Sequence, residues 1–426
     1  MARKILIVGA GQSGLQLAHG LLQNGYEVTL MSARTADEIR AGRVMSTQAM
    51  FDAALQHERD LGINFWEEEA PHFDGIGVSL AGPDGSLALD WTGHLNAYAQ
   101  SVDQRVKMSG WMEAFEQRGG KVIIHGVTVS DLDRLVSRYD LTIVAAGKGE
   151  LVQLFGRDAS HSPYTAPQRA LSVAYVRGLG RRPDRGDLAT VNINLLPGVG
   201  ELFIMPALTT TGPCDILFFE GIPDGPLDCF SGIRSPDDHL RLTLDLMEKY
   251  VPWEYERARD VELTDWGGTL SGRYAPVVRF PAGTLPSGGI ALGMADVVVA
   301  NDPITGQGSN NASKCAAIYL DKIVGHGDGP YDEQFMQDTF DSFWDYVQYP
   351  TTWTNAMLQP PPPHVVQILG AAAQQQEIAD RFANGFNDPR DFFGWFMDPA
   401  KTADYLDSVV GGRRGPDGTE ASPPGA

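Results

Sequence analysis

Basic residues are scarce in this chain. Its 33 lysines and arginines face 54 aspartates and glutamates, a formal net charge of −21 over 426 residues. So acidic a surface offers no basic face to nucleic acid or anionic lipid, and neither is expected as a partner. Cysteine is scarce too: Cys214, Cys229 and Cys315 form no Cys-x-x-Cys pair and read as reduced, buried small hydrophobes. The nine histidines make no i,i+4 pair, so no metal site is expected, and no nucleophile–base triad stands out. No apolar run reaches the roughly 18 residues of a membrane-spanning helix. No charged leader with an apolar stretch and cleavage site precedes the first strand, so the chain reads as cytoplasmic.

What the chain does have begins at once. Lys4-Ile5-Leu6-Ile7-Val8 is a continuous apolar strand, and it runs straight into Gly9-Ala10-Gly11-Gln12-Ser13-Gly14. In such a strand–GxGxxG–helix junction Gly9 allows the tight turn and Gly11 removes the Cβ that would block a diphosphate. Gly14 lets the helix lie close on the sheet, and Ser13 stands in the first helical turn. The helix, read over Gly14 to Asn24, points free N–H groups at a phosphate. A dinucleotide cofactor is the reading. The second strand, Glu27 to Met31, ends in Ser32-Ala33-Arg34 with no carboxylate for a ribose hydroxyl, so Arg34 or Arg43 becomes the candidate adenosine contact.

Met108 to Arg118 predicts an amphipathic helix stopped by Gly119-Gly120, and Lys121–Ile124 and Tyr139–Gly147 predict further strands. Between about 166 and 265 short β-like segments such as Val191–Leu195, Leu202–Met205 and Ile216–Phe219 alternate with Gly/Pro turns. The fold class read from this is α/β. A Rossmann-like domain (1–165 and 266–331) carries an inserted antiparallel β-sheet domain (166–265, with part of 66–100). A helical region (332–410) and a disordered tail (411–426) follow. Pro360 to Pro363 reads as a stiff connector.

A second glycine-bearing device lies far from the first. Gly293-Met294-Ala295-Asp296 precedes Asp302-Pro303-Ile304-Thr305-Gly306-Gln307-Gly308-Ser309-Asn310 and an Ala-containing helix. Gly306 and Gly308 permit backbone contact with a flat ligand, and Asp296 can accept hydrogen bonds from a polyol chain. Phe203, Met205, Phe218, Phe219 and Trp266 are candidate pocket linings. Burying an aromatic substrate of ~200 Å² yields roughly 5 kcal/mol gross, so a small apolar pocket suffices without charged anchors.

The paired motifs resemble the FAD-dependent aromatic-hydroxylase fold. From Lys4 to about Asp407 the chain resembles more closely the oxygenase components of the styrene/indole monooxygenases. Asp302–Gly308, Arg118-Gly119-Gly120, Gly200-Glu201-Leu202 and Trp353-Thr354-Asn355 carry that resemblance. Its Gly-Asp on the ribityl-contact strand is Ala295-Asp296 here. The resemblance implies FAD as cofactor, delivered reduced by a separate NADH-dependent flavin reductase. Reaction with O2 then gives a C4a-(hydro)peroxyflavin that epoxidises indole, styrene or a related small aromatic compound. A single GxGxxG, with no second module for NAD(P)H, agrees. The resemblance further places Pro303 and Asn310 against the isoalloxazine and offers Arg43 and Arg105 as FAD contacts. Arg43–Gln48 becomes the pocket-lining segment, with Ser46 and Gln48 closer to the indole-oxidising branch. A flavin-dependent halogenase is the rival, disfavoured because its Trp-x-Trp-x-Ile-Pro signature is absent. A non-catalytic flavin-binding sensor is the alternative outside enzymes. The sequence leaves oligomeric state, a homodimer included, open.

Overall fold

The apolar stretches line up side by side in the computed structural model, which describes residues 2–411. Along the chain the strands are β1 (Lys4–Val8), β2 (Glu27–Ser32), β3 (His72–Ala81), β4 (Leu87–Gln100), β5 (Lys121–Ile124) and β6 (Leu141–Val144). Then come β7 (Ala170–Arg177), β8 (Thr190–Leu196), β9 (Gly200–Thr209), β10 (Gly212–Gly221), β11 (Glu262–Leu263) and β12 (Thr269–Gly272). The last four are β13 (Val277–Val278), β14 (Ala282–Thr284), β15 (Ile290–Gly293) and β16 (Val299–Ala300).

One sheet has the order β14-β15-β6-β1-β2-β5. Its pairs are parallel except β14–β15, and its central strands are buried on both faces, which is why they read as unbroken apolar runs. Because β15 lies beside β6, residues near 290 return to the sheet that begins at Lys4.

The second sheet runs β11-β7-β10-β9-β8-β3-β4, with β12 also on β7. The expected antiparallel pairing holds except at β3–β8, which is parallel. The hairpin β3–β4 comes from a distant stretch of chain, so no tight turn dictates its direction against β8. Strand alternation gives this sheet two apolar faces. Val173, Ile193, Phe203, Met205, Ile216 and Phe218 share one. Leu202, Ile204, Leu217 and Phe219 share the other, packed with residues of the helices Pro236–Tyr250 and Pro252–Ala258.

The region after 332 is helical as expected, and Pro363 opens the helix Pro363–Ala372 at a position where a missing N–H costs nothing. The helix Gln376–Gly385 lies so close on β4 that a Cβ on Gly93 would sit 2.0 Å from the Ala379 carbonyl oxygen. The expected tail, apart from Gly411 at the end of the last helix, lies outside the described residues. Cys214 and Cys315 are buried, but Cys229 is exposed, in the irregular stretch after β10.

One buried cation ties the parts together. Arg105 is 1% exposed, and all five of its N–H donors are engaged. Nε donates to Asp103 at 2.8 Å, Nη1 to the Gly42 carbonyl at 3.3 Å and to Asp265 Oδ1 at 2.8 Å. Nη2 donates to Thr209 Oγ1 and to Asp265 Oδ2, each at 3.0 Å. Removing one side of such a buried pair leaves an uncompensated charge. Arg105→Ala is therefore expected to destabilise the fold by about 3–5 kcal/mol in urea unfolding. A loss below about 1 kcal/mol, the value of an exposed pair, would contradict the clamp.

Candidate cofactor and substrate site

After β1 the chain turns through Gly9 at φ +123°, where a Cβ would stand 2.7 Å from the Ala145–Ala146 backbone. Gly14 packs tighter still, its would-be Cβ 2.1 Å from the Gly9 carbonyl oxygen. Gly11 differs: its φ is −91° and no atom stands within 4 Å of where its Cβ would be. Two glycines thus serve close packing, and the third keeps a cradle open in front of the helix Gln12–Gln23. That helix starts with no side-chain cap and no acidic residue in its first turn, so its N–H groups and positive end remain available to an anion. Ser13 is buried in that turn. Gln12 turns inward to the fully buried Glu58, which Lys107 holds at 2.7 Å.

The second turn repeats this design. Asp302 accepts the Ile304 N–H at 3.2 Å, Pro303–Thr305 make one tight turn, and Gly306 follows at φ +63°. Neither Gly306 nor Gly308 has an atom within 4 Å of a would-be Cβ. The helix Gly308–Gly325 likewise lacks a side-chain cap and an acidic first turn. Thr305 Oγ1 pairs with the buried Thr354 Oγ1 at 2.5 Å, and Gln307 donates to the Phe386 carbonyl, so the C-terminal helices brace this turn.

The two helices lie side by side and parallel. Gln16 donates to the Ser313 carbonyl at 2.9 Å, Gly20 underlies Leu320, and the Tyr26 hydroxyl donates to the Ile323 carbonyl at 3.1 Å. The first two pairings rise together along both helices and Tyr26, just past the end of the first, continues the order, so both open N-termini lie at one end.

Beside them, Ala295 adopts φ +50°. A left-handed conformation costs an L residue about 1–2 kcal/mol, so tertiary packing overrides local preference here. The next residue, Asp296, approaches Gly147, whose would-be Cβ would meet the Asp296 Cβ at 2.7 Å. The Asp296 side chain is exposed, with Gly147 close against it. Crowding by the surrounding protein raises its pKa above the ordinary aspartate value, against the opposing pull of Lys148 and Arg279.

The segment after Arg43 crosses the sheet face that carries Phe203 and Met205. Val44 N–H bonds the Gly267 carbonyl, the Tyr175 hydroxyl donates to the Ser46 carbonyl at 3.1 Å, and Gln48 Nε2 donates to the Val102 carbonyl at 2.6 Å. Asn310 fastens the segment's far end. Its Nδ2 donates to the Ala49 carbonyl at 2.7 Å and to the Gly306 carbonyl at 3.0 Å, and its Oδ1 accepts from Phe51 N–H. Asn310 thereby joins the second glycine turn to the strip bearing Ser46 and Gln48, whose side chains pair at 3.3 Å.

Two expected site residues go elsewhere. Phe219 lies on the opposite face of the sheet from Phe203 and Met205, because consecutive residues of a strand alternate and Phe218 takes the inner position. Arg105 has no donor left for a cofactor. Arg34 and Arg43 are exposed; Arg34 approaches Met45 Sδ, and the Arg43 guanidinium stands 5.3 Å from the Trp266 ring. Trp266, considered as lining, is 62% exposed. Gln16, Ser313 and Gly147, which assemble the site, carried no motif. Thr354 did, within Trp353-Thr354-Asn355.

A parallel sheet carrying two open glycine turns, beside a largely antiparallel sheet and C-terminal helices, is the fold of flavin-dependent monooxygenases and halogenases. A flavoprotein/dehydrogenase from Cytophaga hutchinsonii has this fold, with a TM-score of 0.66 at 11% identity over 96% of this chain and 99% of that one. The flavin-dependent brominase Bmp2, as a triple mutant, has a TM-score of 0.61 at 15% identity over 95% and 99%. At such identities the likeness speaks for the fold alone. Residues 147–257 match the family described as "Styrene monooxygenase A putative substrate binding domain". Styrene monooxygenase StyA from Pseudomonas fluorescens is 32% identical over 419 residues, 96% of this chain and 99% of that protein. StyA from a Pseudomonas sp. is 32% identical over 414 residues, 95% and 98%. The chain belongs to the styrene monooxygenase StyA family and is an FAD-dependent monooxygenase.

The two kinds of glycine separate experimentally. Gly11→Val is expected to leave thermal stability unchanged while weakening FAD binding at least about tenfold, since a branched side chain would fill the cradle. Gly14→Ala is expected to lose about 1–3 kcal/mol of stability through overpacking. Titration calorimetry and thermal melts read both, and unchanged FAD affinity in Gly11→Val would contradict the proposed seat.

Proposed function

We propose that this chain is the oxygenase half of a two-component system. It takes reduced FAD from a separate flavin reductase and inserts one atom of O2 into indole, styrene or a related small aromatic compound. FAD, when bound, supplies the oxygen-activating chemistry; the chain supplies position and dryness. The N–H groups at Gly11–Ser13 would hold the diphosphate, Asp296 the ribityl chain, and Pro303, Gly306 and Gly308 the ring. Arg34 and Arg43 serve the adenosine side. The reading is supported above all by one observation: Asn310 fastens the second glycine turn to the strip that crosses the apolar face of Phe203 and Met205. A ring held at that turn would meet an aromatic substrate across an apolar wall without charged anchors. The single GxGxxG supports an external source of reduced flavin.

Ser46 and Gln48 are the polar members of that wall, and they favour indole, whose N–H needs an acceptor. Mixing the protein with FAD, NADH and an unrelated flavin reductase should consume both indole and styrene, indole faster. Hydrogen peroxide accumulating while both remain untouched would overturn the substrate assignment. Ser46→Asn is expected to move the indole-to-styrene ratio of kcat/KM by about tenfold with little change in stability. Gln48→Val should move it too, with an added loss of about 1–3 kcal/mol because the Val102 carbonyl is left unpaired. Identical ratios in both variants would remove these residues from the pocket.

A further inference from the structure

Behind the second glycine turn lies a group that flavin chemistry does not use. Glu220, on β10, is 0% exposed, and neither of its carboxyl oxygens finds a donor among ordinary N–H and O–H groups. Directly across on β9 stands a second acid, Glu201, and from the turn a third, Asp302, whose carboxyl lies against that of Glu220. One cation serves all three. Arg169, just before β7, grips Glu201 through Nε and Nη2, at 2.8 and 2.9 Å, and its Nη1 donates to the Gln168 carbonyl. The Tyr274 side chain also faces the cluster, its hydroxyl donating to the Asn301 carbonyl. With Glu201 neutralised by Arg169, two adjacent buried carboxyls remain, and two negative charges cannot stand together there. A neutral carboxyl supplies the hydrogen that Glu220's surroundings lack.

We propose that Glu220 is a positioning residue: as a neutral carboxylic acid it keeps its proton, donates a hydrogen bond through it to Asp302, and so holds the Asp302–Gly308 turn in its cofactor-receiving form. Asp302 caps that turn through the Ile304 N–H, and the turn sets Gly306 and the start of the following helix. Glu220 shares its strand face with Phe218 and Ile216, so the same proton links the turn to the apolar face of the second sheet. Burial, and then the charge of Asp302, push the Glu220 pKa well up, in keeping with the geometry. The sign follows. A carboxyl that holds its proton more tightly when folded contributes a stability that declines as pH rises from the ordinary glutamate range, until the folded-state pKa is passed.

The proposal rests on the reading of this turn as the flavin's seat, and the test separates the two. Infrared spectroscopy of the ligand-free protein at pH 7 should show the carbonyl stretch of a protonated carboxylic acid, and Glu220→Gln should abolish it. Glu220→Gln keeps a donor toward Asp302 but cannot titrate. Its melting temperature should therefore decline less steeply than the wild type's as pH rises above the ordinary glutamate range, and its FAD affinity should hold at high pH where the wild type weakens about tenfold. Glu220→Ala should lose FAD affinity across the range. Absence of the protonated-acid band, or a pH profile of Glu220→Gln superimposable on the wild type, would overturn the assignment. A band lost in Glu220→Gln without FAD binding in any variant would instead sink the flavin reading and leave the proton pair standing.

Discussion

Two helices lying parallel and in contact are the constraint on which the site depends. Gln16 reaching Ser313, and Gly20 admitting Leu320, hold the helix behind the first glycine turn against the helix behind the second. Had the two crossed antiparallel, one N-terminus would point away and the glycine turns could not address one ligand. Parallel packing sums two positive helix ends at one place, and both ends lack side-chain caps and acidic first turns. In a chain with a net charge of −21, two uncapped helix N-termini at one place suit an anionic diphosphate.

The remaining architecture hangs on that contact. The return of β15 to β6 brings Asp296 and the Asp302 turn beside the first turn. Asn310 then fastens this assembly to the strip from Ser46 to Phe51, and Arg105 clamps Gly42, Thr209 and Asp265 behind it. The apolar face of the second sheet is thus set against the cofactor turns by buried hydrogen bonds, which are directional in a way that apolar packing alone is not. Polar groups so enclosed are costly if broken, and that cost keeps the two sheets in one arrangement.

Much of this was legible in the residues. The junction at Val8–Gly14 carries its own chemistry, and Asp302–Gly308 announces a second turn of the same kind. Strands buried on both faces read as apolar runs, and the three segments around Ile193, Phe203 and Ile216 read as a separate sheet. What escaped shares one cause, namely partners distant in sequence. Arg105 looks like any surface arginine until Asp265 and Thr209 arrive from elsewhere in the chain. Phe219 looks like Phe218 until the strand's neighbours decide which face is inward. The parallel pairing of β3 with β8, and the left-handed turn at Ala295, are likewise imposed by surroundings rather than by local letters.

Hydrogen–deuterium exchange with and without FAD, in both redox states, addresses the convergence of the two turns most directly. Amides at Gly9–Gly14 and at Asp302–Asn310 should gain protection together on ligand addition, with the same dependence on FAD concentration. Protection confined to one of the two, or appearing at different concentrations, would contradict a single flavin held between them.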